Sequence, residues 1–408
     1  MHLRRRLLSP YHYAWALSAA LWYRFPARKM TVIGVTGTKG KSSVAEMLYA
    51  ILTTAGNETA LAGTIRFCIG KESRPNLYKM TLPGHGFIQK FLAEARAKKC
   101  TYAVVEITSE AALQHRHVGV DLDALIFTNL QKEHIESHGS MENYFRAKFA
   151  LGKALVRSSK RPRTMVARVD DARGPAFLSL PVERPIPFSL ADVSEVQMSE
   201  NGVSFSYEGT LFSLSLPGEF TILNALAAIK TAEAFGISLE TSALALRELP
   251  RISGRVERIE CGQDFIAVVD YAHTPDSLRA LYGAFPRQQK ICVLGNTGGG
   301  RDTWKRPDMG KIADEACREV ILTNEDPYDE DPHTIVDAMA AGMRRSPTII
   351  MDRREAIRYA LAEAHAGDVV LISGKGTDPF IMGPKGSKIP WSDARVVREE
   401  LKGLLKEI

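Results

Sequence analysis

The chain has 408 residues, of which 25% are charged and 45% are apolar. At about 150 residues per domain, this length predicts two or three domains. The apolar content is sufficient for hydrophobic cores and excludes a disordered chain. The 53 lysines and arginines exceed the 47 aspartates and glutamates by only six. The sequence therefore lacks the concentrated positive charge of a nucleic-acid-binding protein, and we expect an enzyme of several domains with no nucleic-acid partner.

The five cysteines are an odd number, and no two of them have the CxxC spacing of a metal or redox site. Neither a disulfide framework nor a zinc knuckle is expected from this pattern. We therefore predict free, buried thiols and a cytoplasmic location. The cysteines are Cys68, Cys100, Cys261, Cys292 and Cys317.

Within residues 1–29, the three arginines at 4–6 precede an apolar, aromatic stretch over 11–23. That stretch is shorter than the roughly 20 residues of a membrane-spanning helix, and no small-residue cleavage site of a signal peptide follows it. We predict a helical segment and leave two placements open. It packs on the first domain, or it contacts a membrane surface peripherally, with Trp15 and Trp22 at the headgroup boundary.

Strands and helices alternate over the first half of the chain. A β-branched run at 31–35 predicts a buried strand, and 43–54 has helical spacing. A helix at 87–99 and strands at 101–109 and 124–130 continue the pattern. Such alternation predicts a mostly parallel, doubly wound sheet.

The pattern changes beyond residue 160. Alternating residues over 202–216 predict a small antiparallel part, and a helix follows it. A second series of strands separated by helices begins near residue 265, after a connector at 251–260. The predicted fold class is thus α/β, with a Rossmann-like C-terminal α/β domain. The later strands are expected at 265–272, 290–295, 319–324, 348–352 and 368–374.

The segment GVTGTKGKSS at 34–43 lies between the first strand and a helix, which is the context of a nucleotide phosphate loop. Its glycines let backbone amides approach phosphate oxygens, and the helix N-terminus adds a favourable partial charge. We expect Lys41 to reach the β- and γ-phosphates of ATP and the Ser42 hydroxyl to ligate Mg²⁺.

TGTKGKSS at 36–43 resembles the TGTNGKTT loop of the Mur ligase superfamily, ATP-dependent amide ligases with a central ATPase domain and a C-terminal α/β domain. Further segments resemble the branch that adds the third amino acid to UDP-MurNAc-L-Ala-D-Glu. The resemblance implies an ATPase domain at 30–250 and the C-terminal domain at 251–408. The segments include EITSEAALQHR (106–116), TNLQKEHIESHGSMENYFRAK (128–148), DYAHTPDSL (270–278), GNTGGGRDTWKRPDMG (295–310) and GKGTD (374–378).

The resemblance implies ATP and Mg²⁺ as cofactors. It also implies four catalytic residues in this chain, Lys41, Glu106, His134 and Lys148. The implied metal site comprises Ser42, Glu106, His134 and a carbamylated Lys148. From the residues alone, Glu106 as a structural residue, His134 as a surface or capping residue and Lys148 as a solvated helix lysine remain open. The implied ATP-binding residues are Gly37, Thr38, Lys39, Gly40, Lys41, Ser42, Ser43, Asn224, Arg255 and Asp270.

Two further sets of residues are implied for the other substrates. The acceptor-binding residues are Thr81, Thr108, Gln114 and Arg116, with the planar fork of Arg116 suited to clamp a carboxylate. The residues implied for the incoming amino acid are Arg301, Asp326, Tyr328, Gly374 and Asp378.

The amino acid itself stays open. Enzymes of this branch that add diaminopimelate carry DNPR where this chain has EDPY at 325–328. Tyr328 thus replaces the arginine that grips the distal carboxylate, which disfavours diaminopimelate. Lysine, ornithine or another amino acid with a cationic end is as plausible as diaminopimelate, and the acidic residues of 325–331 favour such a substrate. That acidic run also fits a solvated loop.

The resemblance implies an ATP-dependent peptide ligase that acts through an acyl phosphate in peptidoglycan precursor synthesis. Only 29 residues precede the ATPase domain, so the family's UDP-binding first domain is expected to be absent, and an acceptor with or without UDP stays possible. We expect small-molecule substrates and a monomer. Two alternatives remain: a folate polyglutamate or poly-amino-acid ligase, and a nucleotide-binding partner without ligase activity.

Overall fold

The computed structural model describes residues 2–84 and 86–407, and the side chains of 9–84 and 86–406. The chain forms two compact units. The first takes in residues up to Leu249, apart from the short segments Met198–Gly202 and Ser215–Glu219. Those segments belong to the second unit, which continues from Pro250 onward.

The elements alternate as the sequence pattern predicts. The helices are α1 (His2–Trp22), α2 (Lys41–Thr54), α3 (Phe87–Ala97), α4 (Ser109–Leu113), α5 (Ile135–His138), α6 (Met141–Val156), α7 (Gly174–Leu178), α8 (Glu219–Ala234), α9 (Leu239–Arg247), α10 (Pro275–Gly283), α11 (Arg306–Ala316), α12 (Pro332–Ala340), α13 (Arg353–Ala362) and α14 (Asp393–Glu407). Short 3₁₀ helices lie at Pro26–Lys29, Leu190–Asp192, Thr303–Lys305 and Pro384–Gly386. The strands are β1 (Thr31–Thr36), β2 (Thr59–Ala62), β3 (Arg66–Ile69), β4 (Glu72–Pro75), β5 (Tyr102–Glu106), β6 (Ala124–Phe127), β7 (Thr164–Arg168), β8 (Arg184–Phe188), β9 (Ser194–Ser199), β10 (Gly202–Tyr207), β11 (Thr210–Leu214), β12 (Glu257–Ile259), β13 (Ile266–Val269), β14 (Lys290–Leu294), β15 (Glu319–Leu322), β16 (Thr348–Ile349), β17 (Val369–Ile372), β18 (Phe380–Met382) and β19 (Lys388–Pro390).

The main sheet of the first unit has the order β4-β3-β2-β5-β1-β6-β7-β8. The pairs from β2 to β8 are parallel, whereas β3 and β4 form an antiparallel edge. Strands β1, β5 and β6 are almost wholly buried, as expected for parallel strands covered on both faces. The predicted parallel, doubly wound sheet is confirmed, and its carboxyl edge brings the loops after β1, β2, β5 and β6 to one side.

A small three-stranded sheet of order β11-β10-β9 follows the main sheet in the chain. β10 and β11 form the antiparallel hairpin predicted over 202–216. Phe205 and Phe212 are paired across this hairpin, and their buried rings are stacked with centroids 5.4 Å apart. Burial of alternate residues in β10 agrees with the period-2 pattern of the sequence.

Helix α1 packs on the first unit through small residues. Ala16 and Ala20 are buried, and a side chain at Gly119 would overlap Ala20. The opposite face exposes aromatic side chains, among them Trp15 and Trp22, of which Trp22 is 81% exposed. Among the helices described, none combines the length and apolar character needed to cross a bilayer.

The second unit contains a sheet of order β12-β13-β17-β14-β15-β16. Its pairs are parallel except for the edge pair of β12 and β13. Helices α13 and α14 pack on this sheet with Ile357, Val396 and Leu401 in its core. The Rossmann-like second domain predicted from the strand–helix alternation is therefore present.

One prediction from the cysteine pattern is wrong. Cys292 and Cys317 form a disulfide, whereas Cys68, Cys100 and Cys261 are free thiols. Cys292 lies in β14, and Cys317 lies just before β15, the parallel neighbour of β14. The fold brings their Cα atoms to 6.2 Å although 25 residues separate them, a proximity that cysteine spacing alone does not reveal.

Candidate active site

The phosphate loop lies between the end of β1 and the start of α2, and two of its glycines have left-handed backbone angles. Gly37 has a φ of +146° and Gly40 a φ of +82°. A side chain at Gly37 would overlap the Thr128 hydroxyl, and one at Gly40 would overlap the Asn224 carboxamide. Asn224 of α8, which the family resemblance implies as an ATP-binding residue, thus lies directly against the loop.

Side chains from other elements hold the loop. The hydroxyls of Thr38 and Tyr144 are hydrogen-bonded at 3.1 Å. Lys39 forms an ion pair with Glu133 at 3.1 Å, so its ammonium group already has a protein partner. The Lys41 ammonium donates to the Thr38 carbonyl at 2.9 Å and thereby folds over the loop. Ser43 is buried in the first turn of α2.

Ser42 and Glu106 bring their side-chain oxygen atoms together at the carboxyl edge of the sheet. The Ser42 hydroxyl lies 3.2 and 3.1 Å from the two carboxylate oxygens of Glu106. Glu106, the last residue of β5, also accepts from the Thr64 backbone amide at 2.9 Å and is almost fully buried. Mg²⁺ prefers oxygen ligands of this kind, so the two residues fit a magnesium ion.

Lys148 lies in α6 with only 1% of its surface exposed. Its Nζ donates to the Gly37 carbonyl at 2.6 Å and lies 4.6 Å from the Tyr144 ring centroid. Burial, and then the nearby charge of Lys41, hold the pKa of Lys148 well below its usual range. A solvated helix lysine, one of the two readings of the sequence, is therefore wrong.

His134 precedes α5 and has a left-handed backbone with a φ of +58°. Its side chain makes no capping hydrogen bond to that helix, and its ring centroid lies 5.9 Å from that of Tyr144. The side chain is exposed. His134 and Lys148 therefore both contact Tyr144, and His134 is at the surface of the site.

One of the predicted acceptor residues, Thr81, is linked to Glu106 through hydrogen bonds. Thr81 and Thr64 share a hydroxyl–hydroxyl bond of 2.7 Å, and the amide of Thr64 binds Glu106. Thr108, two residues after Glu106, accepts from the Ala111 amide and so caps α4. Its side chain is therefore positioned by the helix that follows β5.

Arg116 carries a charge that its hydrogen-bond partners do not neutralise. Its guanidinium donates to Gln114 Oε1 at 2.6 Å and to the carbonyl of Leu82, which are both neutral acceptors. Its Nε is buried with no hydrogen-bond partner in the described part of the chain. Burial lowers the pKa of Arg116. Such a guanidinium is suited to bind a carboxylate.

Within the second unit, Arg255 and Asp270 lie near the end of β13. The Asp270 carboxylate accepts from the backbone amides of Val256 at 2.7 Å and Ala272 at 2.6 Å. The Arg255 guanidinium lies 4.6 Å from the Tyr271 ring centroid. Backbone amides therefore fix the carboxylate, and an aromatic ring supports the guanidinium.

Two of the residues predicted to bind the amino acid surround one buried lysine. Asp326 accepts from Lys375 Nζ at 2.8 Å and from the Met382 amide at 2.8 Å. Asp378 lies 3.7 Å from the same Nζ, and Lys375 is 0% exposed. The sequence reading missed Lys375, although it stands within GKGTD, the segment that supplied Gly374 and Asp378.

Arg301 and Tyr328 form a second group in this unit. The Arg301 guanidinium lies 4.9 Å from the Tyr328 ring centroid, and Tyr328 has a left-handed φ of +53°.

Gly374, another residue predicted to bind the amino acid, has a φ of +108°, and a side chain there would overlap the buried carboxylate of Glu325. Burial raises the pKa of Glu325.

The acidic run at 325–331 is only partly solvated, because Asp329 and Asp331 are exposed whereas other carboxylates of the run are not. Glu325 and Asp326 are buried, Glu330 binds Arg306 at 2.9 Å, and Asp331 caps α12. Asp326, Glu330 and Asp331 already have protein partners and do not by themselves favour a cationic amino acid, whereas Glu325 Oε2 is buried with no hydrogen-bond partner among the described residues. The choice of amino acid therefore has to be argued from Arg301 and Tyr328.

Tyr144 is the main residue that sequence reasoning missed. It contacts Thr38, Lys148 and His134, and its ring centroid lies 4.9 Å from that of His138. Tyr144 and Lys148 are four residues apart in α6, and this spacing places two side chains on the same face of a helix. This spacing is the sequence signal from which Tyr144 could have been predicted as a neighbour of Lys148.

Family models match both units. The Mur ligase middle domain matches residues 35–232, and the Mur ligase, glutamate ligase domain matches residues 254–376. The UDP-N-acetylmuramoyl-L-alanyl-D-glutamate--2,6-diaminopimelate ligase of Caldanaerobacter subterraneus subsp. tengcongensis is 35% identical, over 95% of this chain and 81% of its own. The UDP-N-acetylmuramyl-tripeptide synthetase of Roseiflexus sp. is 36% identical, over 95% of this chain and 81% of its own.

Solved structures agree with these relatives. A structure of a UDP-N-acetylmuramoyl-L-alanyl-D-glutamate--2,6-diaminopimelate ligase aligns with a TM-score of 0.62 and 28% identity, covering 92% of this chain and 79% of that one. Mycobacterium tuberculosis folylpolyglutamate synthase complexed with ADP aligns with a TM-score of 0.71 and 17% identity, covering 90% and 92%. At that identity, the second likeness shows the fold alone.

Proposed function

This chain belongs to the Mur ligase family, whose members are ATP-dependent ligases, and we propose that it joins an amino acid to a muramyl-peptide-like acceptor that ends in D-glutamate, in peptidoglycan precursor synthesis. One observation carries the proposal: hydrogen bonds run from Thr81 through Thr64 and Glu106 to Ser42 of the phosphate loop. Residues proposed for the acceptor and for ATP are thereby part of one network.

The reaction proceeds in two steps. The acceptor carboxylate attacks the γ-phosphorus of ATP to give an acyl phosphate and ADP, and the amino group of the incoming residue then displaces phosphate to form the amide. Arg116 holds an acceptor carboxylate, while the loop amides and Lys41 bind the ATP phosphates, with Lys41 exchanging its bond to the Thr38 carbonyl for phosphate oxygens. In this proposal, these contacts hold the two reactants together and offset their negative charge.

Ser42, Glu106 and Lys148 are the proposed Mg²⁺ residues, joined by His134 at the surface. Mg²⁺ supplies charge neutralisation at the phosphate oxygens. Lys148 fits only in modified form, because an amine offers no anionic oxygen ligand. Its lowered pKa favours the neutral amine that reacts with carbon dioxide, and the resulting carbamate has the required oxygens. Asn224, Arg255 and Asp270 are the proposed contacts to the rest of the nucleotide.

For the amino acid, Arg301 is proposed to bind the α-carboxylate and Tyr328 to line the pocket for the distal end. The relatives named above include a diaminopimelate ligase. Tyr328, however, has no positive charge and cannot form an ion pair with the distal carboxylate of diaminopimelate. We propose lysine, ornithine or another amino acid without that carboxylate as the substrate.

The test is a phosphate-release assay over a panel of amino acids, with UDP-linked and UDP-free muramyl-L-Ala-D-Glu as acceptors. We expect stimulation by at least one pair, with diaminopimelate a poor substrate. Preference for diaminopimelate would refute the assignment to Tyr328, whereas release with none of the pairs would refute the ligase. A folate polyglutamate ligase would instead respond to a folate acceptor with glutamate.

We also propose a cytoplasmic monomer that acts on small molecules and touches membranes peripherally through residues 1–29. The exposed aromatic face of α1, with Tyr11, Trp15 and Trp22, supports this placement because such side chains favour the headgroup boundary. Co-sedimentation with anionic liposomes should be stronger for the full chain than for a chain that starts at Lys29. Equal co-sedimentation would contradict membrane contact.

A further inference from the structure

A recess of about 640 Å³ lies at the amino edge of the main sheet, the edge opposite the phosphate loop. Thr31 at the start of β1, Thr101 just before β5 and Asp123 just before β6 line it. These strands are parallel, and their other ends lead to the phosphate loop and to Glu106. A molecule in the recess is therefore separated from those residues by the length of a strand, about 15–20 Å.

Positive charge is concentrated in this recess. Its lining contains six lysines and arginines but a single carboxylate, that of Asp123. The cations come from three separate parts of the chain: the 3₁₀ helix after α1, the C-terminal end of α3 with the turn after it, and the segment before β7. The small overall excess of positive charge therefore does not reveal the cluster. Its members are Arg28, Lys29, Arg96, Lys99, Lys160 and Arg161.

Three of these six cations have acidic partners in the protein. Lys160 Nζ also donates to the Met30 carbonyl, which ties the segment before β7 to the start of β1. These contacts hold the walls of the recess and neutralise half of its positive charges. The ion pairs are Arg28–Asp121 at 3.0 Å, Lys160–Asp123 at 2.5 Å and Arg161–Glu183 at 3.1 Å.

The other three cations are Lys29, Arg96 and Lys99, all of them exposed. Within the part of the chain that the structure describes, their side chains form no ion pair and no hydrogen bond. Three positive charges thus line one recess without a counterion from the protein, which favours an anionic ligand. Phosphate fits best, because lysine and arginine both bind phosphate oxygens.

Helix α1 ends beside the recess. The Phe25 amide donates to the Ala20 carbonyl of α1 at 2.9 Å, and the Phe25 ring centroid lies 4.2 Å from the Arg28 guanidinium. Leu21 and Trp22 in the last turn of α1 are 60% and 81% exposed. Exposed apolar side chains close to cations without partners are typical of surfaces that contact anionic membranes.

We propose that this recess binds the phosphate group of an anionic membrane lipid, with Leu21 and Trp22 in the headgroup region. The inference rests on the membrane contact proposed for residues 1–29 and deepens it, because Arg96 and Lys99 lie outside that segment. It leaves the phosphate loop and Glu106 accessible at the opposite edge of the sheet. The protein can therefore bind its substrates while it is attached to a membrane.

The test is co-sedimentation of the full chain with phosphatidylcholine vesicles that contain or lack phosphatidylglycerol. The recess variant loses the three cations without partners, and the matched control loses three exposed cations elsewhere. A third variant exchanges lysine and arginine within the recess and so retains the charge. They are Lys29→Gln/Arg96→Gln/Lys99→Gln, Lys71→Gln/Arg247→Gln/Lys402→Gln and Lys29→Arg/Arg96→Lys/Lys99→Arg.

At low salt we expect the recess variant to bind vesicles with phosphatidylglycerol about 100-fold more weakly than the wild type, since each cation near such a surface contributes a factor of about five. The control should stay within about threefold of the wild type, and the charge-retaining variant should match it. The loss should shrink at about 1 M salt, where charges are screened beyond about 3 Å. Circular dichroism checks that all variants are folded.

Several outcomes would overturn the proposal. Equal losses in the recess variant and the control would show that only overall charge matters, and equal binding of both kinds of vesicle would exclude an anionic headgroup. Inorganic pyrophosphate that binds the wild type but not the recess variant, without any vesicle binding, would assign the recess to a soluble anion.

Trp22→Ala separates this proposal from the contact through the aromatic face of α1. If Trp22→Ala binds vesicles normally and the recess variant does not, the contact through α1 fails and the lipid site stands. The reverse result would refute the lipid site alone. Neither comparison depends on phosphate release, so failure of the proposed ligase activity is a separate outcome.

Discussion

At the scale of single residues, burial changes what a side chain does. Lys148 shares α6 with the exposed Arg146, yet only Lys148 is enclosed and bonded to the Gly37 carbonyl. Enclosure favours its neutral amine, which is the form that reacts with carbon dioxide. The same side chain thereby touches both the phosphate loop and the proposed metal site.

We predict that Lys148→Ala and Lys148→Arg both lower kcat by at least about 100-fold, a loss typical of removing one electrostatic group from an active site. Arginine retains the positive charge but cannot form the carbamate, so it is the informative control. Phosphate release measures the effect, and native mass spectrometry should show one added carbon dioxide in the wild type only. Full activity of Lys148→Arg would contradict the carbamate.

His117 provides a pH-dependent contribution to stability. Its Nδ1 is buried without a hydrogen-bond partner among the residues described, and burial lowers its pKa to about 4. The unfolded chain, with an ordinary histidine pKa near 6.5, therefore binds a proton at a higher pH than the folded chain does. The stability from neutral His117 is complete above about pH 6.5 and is lost as the pH falls toward 4.

We expect the free energy of unfolding to fall by about 2 kcal/mol between pH 7 and pH 5 on account of this residue, because one pKa unit corresponds to about 1.4 kcal/mol. Urea unfolding of the wild type and His117→Gln at both pH values measures it. The variant should lose most of this difference, and His333→Gln at an exposed position should keep it. A difference of equal size in both variants would exclude His117 as its source.

At the scale of elements, one buried ion pair joins α13 to α14. Arg353 and Asp393 are bonded at 2.8 and 2.7 Å, with exposures of 1% and 0%. Trp391 Nε1 also donates to Asp393 at 2.7 Å. The last helix is therefore attached to the second unit by a polar contact in addition to its apolar face.

Asp393→Ala should destabilise the protein by about 3–5 kcal/mol, because it leaves the Arg353 charge buried without its partner. Arg354→Ala, which removes exposed pairs from the next position of α13, should cost about 1 kcal/mol or less. Chemical unfolding followed by circular dichroism compares the two variants. Similar losses in both would show that burial of the pair is not decisive.

At the scale of the whole molecule, the sequence predicts the order of elements and the two α/β sheets well. Buried runs such as 31–35 and the glycine loop before α2 have local patterns, and Glu106 could be placed at a strand end from its position alone. Burial of Lys148 was not predictable, since charged neighbours surround it in the sequence. The Cys292–Cys317 disulfide and the Asp326–Lys375 pair depend on strands that meet only in the folded sheet.

Tyr144 has a consequence for the energetics of binding. Its side chain bonds to the phosphate loop, contacts the proposed metal ligand Lys148 and packs against His138. If acceptor binding repositions this ring, the affinity for nucleotide changes with it. Thermodynamic reciprocity then requires nucleotide to change the affinity for the acceptor by the same factor, so either ligand prepares the site for the other to the same extent.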